Sequence, residues 1–309
     1  MKSFRRYAVF TALATYFLIF TGGLVRVSGA GLGCPDWPKC FGRWIPPMSY
    51  RQLPSDFDPN LFNFTLAWIE YINRLVGVIV GLLIAVLAVW AIFKFYNKVK
   101  IIVPSILAAL LVAFQGWQGG QVVLSDLAPY LVSVHLIVAY VIGGLTVYIS
   151  QQAFYYEQPA YEADAGYPRW SRFLVSFLLG LIIAQVTIGT QMREAVEIAA
   201  QNFPLLADSE LVDKIGTVKY SHPTIGIIVA VLSWALSYGI LRKSRKPSPL
   251  AWQSAWTVAG LALLQLVFGL VMIFGGLPDV VQAMHLWLAG LLGGTVLISL
   301  SAVSRTAEV

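Results

Sequence analysis

Leu75-Val76-Gly77-Val78-Ile79-Val80-Gly81-Leu82-Leu83-Ile84-Ala85-Val86-Leu87-Ala88-Val89-Trp90-Ala91-Ile92-Phe93 is a stretch of 19 residues without a charge, closed by Lys94. A run of about 20 apolar residues crosses the hydrocarbon layer of a bilayer as one α-helix. Lipid offers no partner to backbone N–H and C=O groups, so the segment must satisfy its own and be helical. Working outward, eight such segments recur: Tyr7–Val27, Ala67–Phe93 (which contains the run just quoted), Ile101–Val123, Tyr130–Ser150, Phe173–Gln191, Tyr220–Leu241, Ser254–Phe274 and Val280–Ala302. The 309 residues are 58% hydrophobic and 12% charged, with a mean hydropathy of +0.73. A soluble domain carries about 25% charged residues, so this composition excludes a water-soluble globule, and equally a disordered or fibrous chain. The expected fold class is an all-α integral membrane protein with eight transmembrane helices.

Lys2, Arg5 and Arg6 precede the first segment in the manner of a signal peptide, but its apolar run is too long and Ser28-Gly29-Ala30 is a weak cleavage site. It is read as a membrane helix. If both termini share one side, that side holds Lys2, Arg5, Arg6, Lys94, Lys98, Lys100, Arg169, Arg172, Arg242, Lys243, Arg245, Lys246 and Arg305. Those 13 cations face four acids (Glu157, Glu162, Asp164, Glu308), a net +9, against 8 cations and 11 acids, a net −3, on the other side. Positive charge stays in the cytoplasm on insertion, so both termini are expected to be cytoplasmic, in the cell (inner) membrane. The chain's overall +6 is thereby a matter of topology, and no nucleic acid partner is implied.

A shift of about 150 residues lays the second half on the first. Gln115, Gly119, Leu127, His135-Leu136, Ala139 and Gly144 recur as Gln265, Gly269, Leu277, His285-Leu286, Ala289 and Gly294, each 150 residues on. Glu70-Tyr71-Ile72-Asn73-Arg74-Leu75-Val76-Gly77 meets Lys219-Tyr220-Ser221-His222-Pro223-Thr224-Ile225-Gly226 at an offset of 149. Four helices per half is an even number, so the halves share one orientation and form a parallel repeat about the membrane normal. The expected organisation is an N-terminal four-helix bundle over 1–150, a cytoplasmic linker over 151–172 and a C-terminal four-helix bundle over 173–309.

The repeat places all three histidines. His135, His222 and His285 fall a few residues inside the outer ends of helices four, six and eight, and the slot matching His222 is Asn73. An intramembrane ionisable group usually marks function. His222 with His285 is the pair that bis-axial ligation of a heme iron in a helical bundle needs. His135 opposite Asn73 would leave such an iron with one protein ligand. The alternative for each is a polar ring hydrogen-bonded to a neighbouring helix. Zinc or copper is disfavoured because ligands split over two bundles do not close one tetrahedral site. Gly77, Gly143, Gly144, Gly226, Gly290, Gly293 and Gly294 follow the histidine slots and are expected to let a flat macrocycle or a helix come close.

Glu70, three residues before Asn73, shares its helical face. It either serves chemistry beside a macrocycle, by charge stabilisation or proton relay, or pairs with Arg74. Arg74, Arg26 and Arg193 lie near outer ends, where a guanidinium fork suits heme propionates and snorkelling to lipid headgroups is equally open to Arg26 and Arg193. Cys34 and Cys40 flank Pro35-Asp36-Trp37-Pro38-Lys39 in the first outer loop. On that side a disulfide persists, with a free thiol pair as the alternative. Cys-x-x-Cys-His is absent, so covalent heme attachment is not expected. Trp37, Trp44, Trp68 and Trp117 read as an aromatic belt.

Gly29-Ala30-Gly31-Leu32-Gly33-Cys34-Pro35-Asp36-Trp37-Pro38, the Glu70-x-x-Asn73-Arg74 box, Pro129 with His135-Leu136, Gly189-Thr190-Gln191-Met192-Arg193-Glu194 and His285-Leu286 together resemble the heme A synthase (CtaA-type) family over essentially the whole chain. The resemblance implies two four-helix bundles, with heme b between His222 and His285 in the C-terminal one. The N-terminal bundle would receive heme O at His135 and oxidise its C8 methyl to formyl by successive hydroxylation, giving heme A for cytochrome oxidase. It further implies that Glu70 is the activity-linked carboxylate and that Cys34 and Cys40 are the outer-loop pair of redox or structural role. Heme O synthase, cytochrome oxidase assembly, an electron donor and the lipid bilayer are the implied partners. Two positions depart from the pattern: Asn73 replaces the usual His, and His222-Pro223 replaces His-Arg, with Pro223 expected in the first helical turn. The competing functional readings are a non-catalytic bis-His cytochrome that carries electrons, and a repeat-built transporter, the latter weakened by the lack of midplane charges.

Overall fold

The computed structural model describes residues 2–158, 169–243 and 249–304. Eight helices in it are long and apolar enough to cross a membrane: α1 (Lys2–Val27), α2 (Phe64–Lys94), α3 (Val99–Leu124), α4 (Pro129–Glu157), α5 (Arg169–Asn202), α6 (Val218–Lys243), α7 (Pro249–Gly275) and α8 (Asp279–Ser304). Local chemistry sets the ends. Asn63 Oδ1 accepts the Leu66 N–H at 3.1 Å and caps α2, and Pro129 opens α4 where an N–H would go unused. The α3–α4 turn carries positive φ at Asp126 (52°) and Leu127 (62°), and the α7–α8 turn at Gly276 (73°) and Leu277 (58°). Left-handed backbone at a leucine is uncommon, so its recurrence 150 residues on carries the repeat down to the main chain.

In the first half α1, α2, α3 and α4 pack as a ring of neighbours, and α5, α6, α7 and α8 do the same in the second. Each bundle has its own core: Phe4, Ile84, Leu87 and Ile149 in the first, and Val175, Leu178, Leu236, Ile240, Val258 and Val296 in the second. Both cores fill the end that carries the chain termini, which leaves the opposite ends to the histidines. Large exposed side chains such as Leu82, Val86, Phe93 and Leu110 form the outer faces, as a lipid solvent allows.

The bundles join along a seam where α1 meets α8, α4 meets α8 and α4 meets α5. Trp287 Nε1 donates to the Tyr16 carbonyl at 2.9 Å, and Tyr140 Oη to the Leu286 carbonyl at 2.7 Å. Of the glycines that follow the histidine slots, Gly143, Gly144, Gly290, Gly293 and Gly294 lie here and admit a neighbouring helix, while Gly226 lies against Gln185 and Gly77 against Leu18. A Cβ on Gly143 would touch the Tyr16 ring, one on Gly290 would fall 2.8 Å from Tyr140, and one on Gly294 would overlap the Tyr16 hydroxyl. At 3.6 residues per turn, positions five and nine beyond a histidine are rotated by roughly 140° and 180° from it, so they face the other bundle.

Helix ends differ from the apolar segments. α5 continues eleven residues past Gln191 to Asn202, because Val196 and Ala199 bury one stripe against Leu211 and Ile215 while Arg193, Glu194, Glu197 and Gln201 interrupt the apolar run, a pattern hydropathy does not register. The stretch 151–172, expected as linker, is helical to Glu157 and again from Arg169, while 159–168 lie outside the described residues. Gln151 explains the first extension: it is buried and donates to Tyr155 Oη and the Ile298 carbonyl, and Arg5 pairs with Glu157 at 3.2 Å. Pro223 sits in the second turn of α6, since the helix starts at Val218, and there it withholds the N–H that would close on Lys219. Of the charges counted for topology, Glu162, Asp164, Arg245, Lys246, Arg305 and Glu308 are outside the described residues.

Gly290→Val is expected to lower stability by about 1–3 kcal/mol through overpacking at the seam. Gly260→Ala, where a Cβ meets nothing within 4 Å, should leave it unchanged or raise it. Thermal unfolding of both variants in one detergent tests the contrast.

Candidate functional site

Each histidine is fixed by the same two contacts from the preceding helix of its bundle. Gln115 Nε2 donates to the His135 carbonyl at 2.6 Å, Gln185 to the His222 carbonyl at 2.8 Å and Gln265 to the His285 carbonyl at 2.8 Å. A helical carbonyl has a second lone pair, so this bond adds to the helix without breaking it. One turn after each glutamine comes a glycine. A Cβ at Gly119, Gly189 or Gly269 would lie 3.3, 3.0 or 3.9 Å from Cε1 of the same histidine, so the missing side chain makes the space that the ring occupies. The repeat had exposed the Gln-x-x-x-Gly spacing at 115–119 and 265–269. The third instance, 185–189, escaped because α1 and α5 align at a different offset: Arg26 and Arg193 are 167 apart, falling to 149 after a first outer loop 18 residues longer than its counterpart. The fourth position reads Leu18…Gly22, and its cross-helix slot is Asn73, whose Oδ1 accepts from Thr21 Oγ1 at 2.8 Å.

His222 and His285 come together. Their ring centroids are 6.3 Å apart with planes at 62°, and the helices that carry them are not neighbours in the ring of α5–α8 but stand across it. A metal bonded to one nitrogen of each ring at about 2 Å, with roughly 1.1 Å from nitrogen to ring centre, separates trans imidazole centroids by about 6 Å. Nδ1 of both rings is buried with no hydrogen-bond partner among the described residues, whereas buried polar atoms are normally satisfied. The pair therefore fits a heme iron in spacing, with Gln185 Nε2 standing 3.4 Å from His222 Nε2.

His135 is prepared differently. Its Nδ1 bonds Gln118 Oε1 at 2.7 Å, while Gln118 Nε2 donates to the Leu131 carbonyl at 2.7 Å. With its amide nitrogen committed, Gln118 presents an oxygen to the ring, so Nδ1 carries the proton and Nε2 keeps a free lone pair. That is the tautomer of a metal-ligating histidine with its outer partner. Gln118, 2% exposed, was not singled out in the sequence; its place three residues after Gln115 on the same face was the available signal.

Glu70 is 4% exposed. Its Oε1 pairs with Arg74 Nη2 at 2.5 Å, and its Oε2 accepts the Cys34 N–H at 2.8 Å. Arg74 in turn donates to the carbonyls of Cys34, Asp36 and Lys39. Together they clamp the first outer loop onto α2. Cys34 and Cys40 form a disulfide, 0% and 1% exposed, with Cα atoms 4.7 Å apart. Asp36 closes the loop by accepting from the Phe41 and Gly42 N–H groups, and Gly33 leaves no room for a Cβ against the Leu66 carbonyl. Trp37, part of the expected aromatic belt, lays its ring over Gly120 of α3.

Arg26 and Arg193 meet one acid. Glu197 Oε2 takes Arg26 Nη2 at 2.6 Å and its Oε1 takes Arg193 Nε at 3.0 Å, while Arg193 Nη1 donates to Gln282 Oε1 at 2.7 Å. Glu197 lies beyond the apolar run that ends at Gln191, and Gln282 lies at the start of the last run; neither was singled out in the sequence. Glu70→Ala should cost about 3 kcal/mol by leaving Arg74 and the Cys34 N–H unpaired, and should speed proteolysis of the 28–63 loop. Thermal unfolding with limited proteolysis measures both, and Glu70→Gln should lose less.

The sequence pattern of the COX15-CtaA family, described as cytochrome oxidase assembly protein, matches residues 5–297. A heme A synthase of Halalkalibacterium halodurans is 24% identical over 314 residues, covering 100% of this chain and 99% of that protein. A heme A synthase of Alkalihalophilus pseudofirmus is 24% identical over 277 residues, 88% of each chain. One from Shewanella oneidensis is 35% identical over 130 residues, 41% of this chain and 38% of that one. With a match that spans both bundles and all three histidines, the chain belongs to the COX15-CtaA family of cytochrome oxidase assembly proteins.

Proposed function

We propose that the chain is a heme A synthase-type membrane oxidoreductase that holds heme b between His222 and His285 and converts heme O, received at His135, into heme A for cytochrome oxidase. The observation that carries this is the pair of half-buried imidazoles whose ring centroids are 6.3 Å apart, each with a buried Nδ1 that has no partner among the described residues. Heme, when bound, supplies iron-centred redox chemistry. The chain's own residues supply position: Gln185 and Gln265 set the height of the two ligands, and Gln118 fixes the His135 tautomer. Glu70 is assigned the family's activity-linked carboxylate role and, through Cys34 and Arg74, holds the disulfide loop over α2 next to Asn73. Arg26 and Arg193, drawn together by Glu197, are assigned to the propionates. The charge asymmetry supports a cell-membrane protein with both termini cytoplasmic, and the chemistry calls for an electron donor and a heme O synthase upstream.

A second reading is favoured by Asn73. Its amide is bound by Thr21 and is a poor iron ligand, so the first bundle could bind heme without turning it over, and the protein would then carry electrons. Pigment extraction decides: heme O or heme A beside heme b supports synthesis, and heme b alone supports the carrier. His285→Ala should abolish the low-spin bis-His absorption spectrum; an unchanged spectrum rejects that ligand. Gln118→Leu should leave that spectrum intact and weaken retention of the second heme by roughly 10–100-fold, the usual effect of losing an outer-shell partner.

A further inference from the structure

The seam between the bundles encloses a cavity of about 360 Å³. It lies at mid-depth: Tyr16, Gly144 and Gly293, which line it, are all close to the midpoints of α1, α4 and α8. Its walls are almost wholly apolar, and it owes its existence to broken symmetry. Where α4 carries Ile137 and Tyr140, α8 carries Trp287 and Gly290, 150 residues on. Trp287 fills the α1–α8 side of the seam by packing on Phe20 with ring centroids 5.4 Å apart and bonding the Tyr16 carbonyl. On the α4–α5 side, Ile137 and Gly290 leave the space open. Ser133 and Thr190 join α4 to α5 by a 2.8 Å hydrogen bond nearer the histidine end. Val141 and Ile183, both lining the cavity and 43% and 45% exposed, mark a mouth that faces lipid.

Three tyrosines line this space: Tyr140, whose hydroxyl is committed to the Leu286 carbonyl, Tyr148 and Tyr16. Tyr16 is 7% exposed and lines the cavity, its hydroxyl lying against Gly294. Neither that hydroxyl nor the Tyr148 hydroxyl makes a hydrogen bond among the described residues, and Tyr16 is the more deeply set of the two, where a buried hydroxyl normally finds a partner. A pocket of roughly 300–1,000 Å³ with apolar walls and a few placed polar groups is the usual form of a small-molecule site. We infer that this cavity binds an isoprenoid quinone from the bilayer, its ring carbonyl accepting the Tyr16 O–H and its chain leaving between Val141 and Ile183. A lipid ester carbonyl stays at the headgroup level, whereas a quinone ring travels within the apolar layer and reaches this depth.

The test uses the full chain in phosphatidylcholine nanodiscs free of quinone, an azido-benzoquinone photoprobe with a decyl chain, and an alkyl diazirine of equal length without the ring. Saturable quinone labelling of cavity-facing peptides of α4, α5 or α8 is expected. It should fall at least tenfold in Ile183→Trp, which closes the mouth, and its half-saturation should rise about tenfold in Tyr16→Phe, which keeps the ring and removes the hydroxyl. The alkyl probe should be indifferent to Tyr16→Phe. Labelling that does not saturate, or that Ile183→Trp leaves unchanged, overturns the site. Equal labelling by both probes with no effect of Tyr16→Phe makes the cavity a slot for acyl chains and overturns the quinone assignment. If Ile183→Trp does not fold by circular dichroism, Tyr16→Phe alone decides. No readout depends on heme, so a failure here leaves the heme assignment standing, and the reverse.

Discussion

In a medium without water, side-chain amides can find partners only on other helices, and the second lone pair of a helical carbonyl is a ready one. Gln115, Gln185 and Gln265 each use it on the residue that also carries an imidazole. This single bond sets the axial register between two helices and so fixes the depth of the ring. The glycine one turn later sets how closely the ring can approach. Register and clearance from one four-residue spacing explain why the histidines on α6 and α8 can meet although their helices are not adjacent.

Much of this was legible in the residues. Eight apolar runs gave eight spanning helices, and the 150-residue echo is repeated in the left-handed Leu127 and Leu277. The histidine pair was legible because ionisable rings are rare in apolar segments. Other features were hidden for identifiable reasons. The glycines after the histidine slots could admit a macrocycle or a helix, and only rotation around the helix decides for the helix at Gly290 and Gly294. The extended end of α5 is amphipathic, so hydropathy missed it, and Glu197 with it. Gln118 carries no signal of its own in the Gln- and Gly-rich end of α3, because its role depends on the Leu131 carbonyl orienting its amide.

Glu70 illustrates how one side chain can serve two readings at once. Ion pairing with Arg74 and service beside a macrocycle were posed as alternatives, and the geometry gives the first without removing the second. The carboxylate spends one oxygen on Arg74 and the other on Cys34. Any change at the disulfide is thereby transmitted to the residue three places before Asn73. The loop and the first bundle are mechanically one unit, which is why the buried cysteines belong to the description of the site rather than to the surface.

Glu197 bears on how such a chain could have arisen. Arg26 and Arg193 occupy matching positions of the two repeats, yet one carboxylate, contributed by the second repeat, neutralises both. An ancestral single repeat pairing with itself would have faced its own arginine across the axis with no acid between them unless each copy supplied one. With one carboxylate serving both guanidinium groups, the charge balance of the first half at this end rests on a side chain of the second, and neither half is electrostatically self-sufficient there.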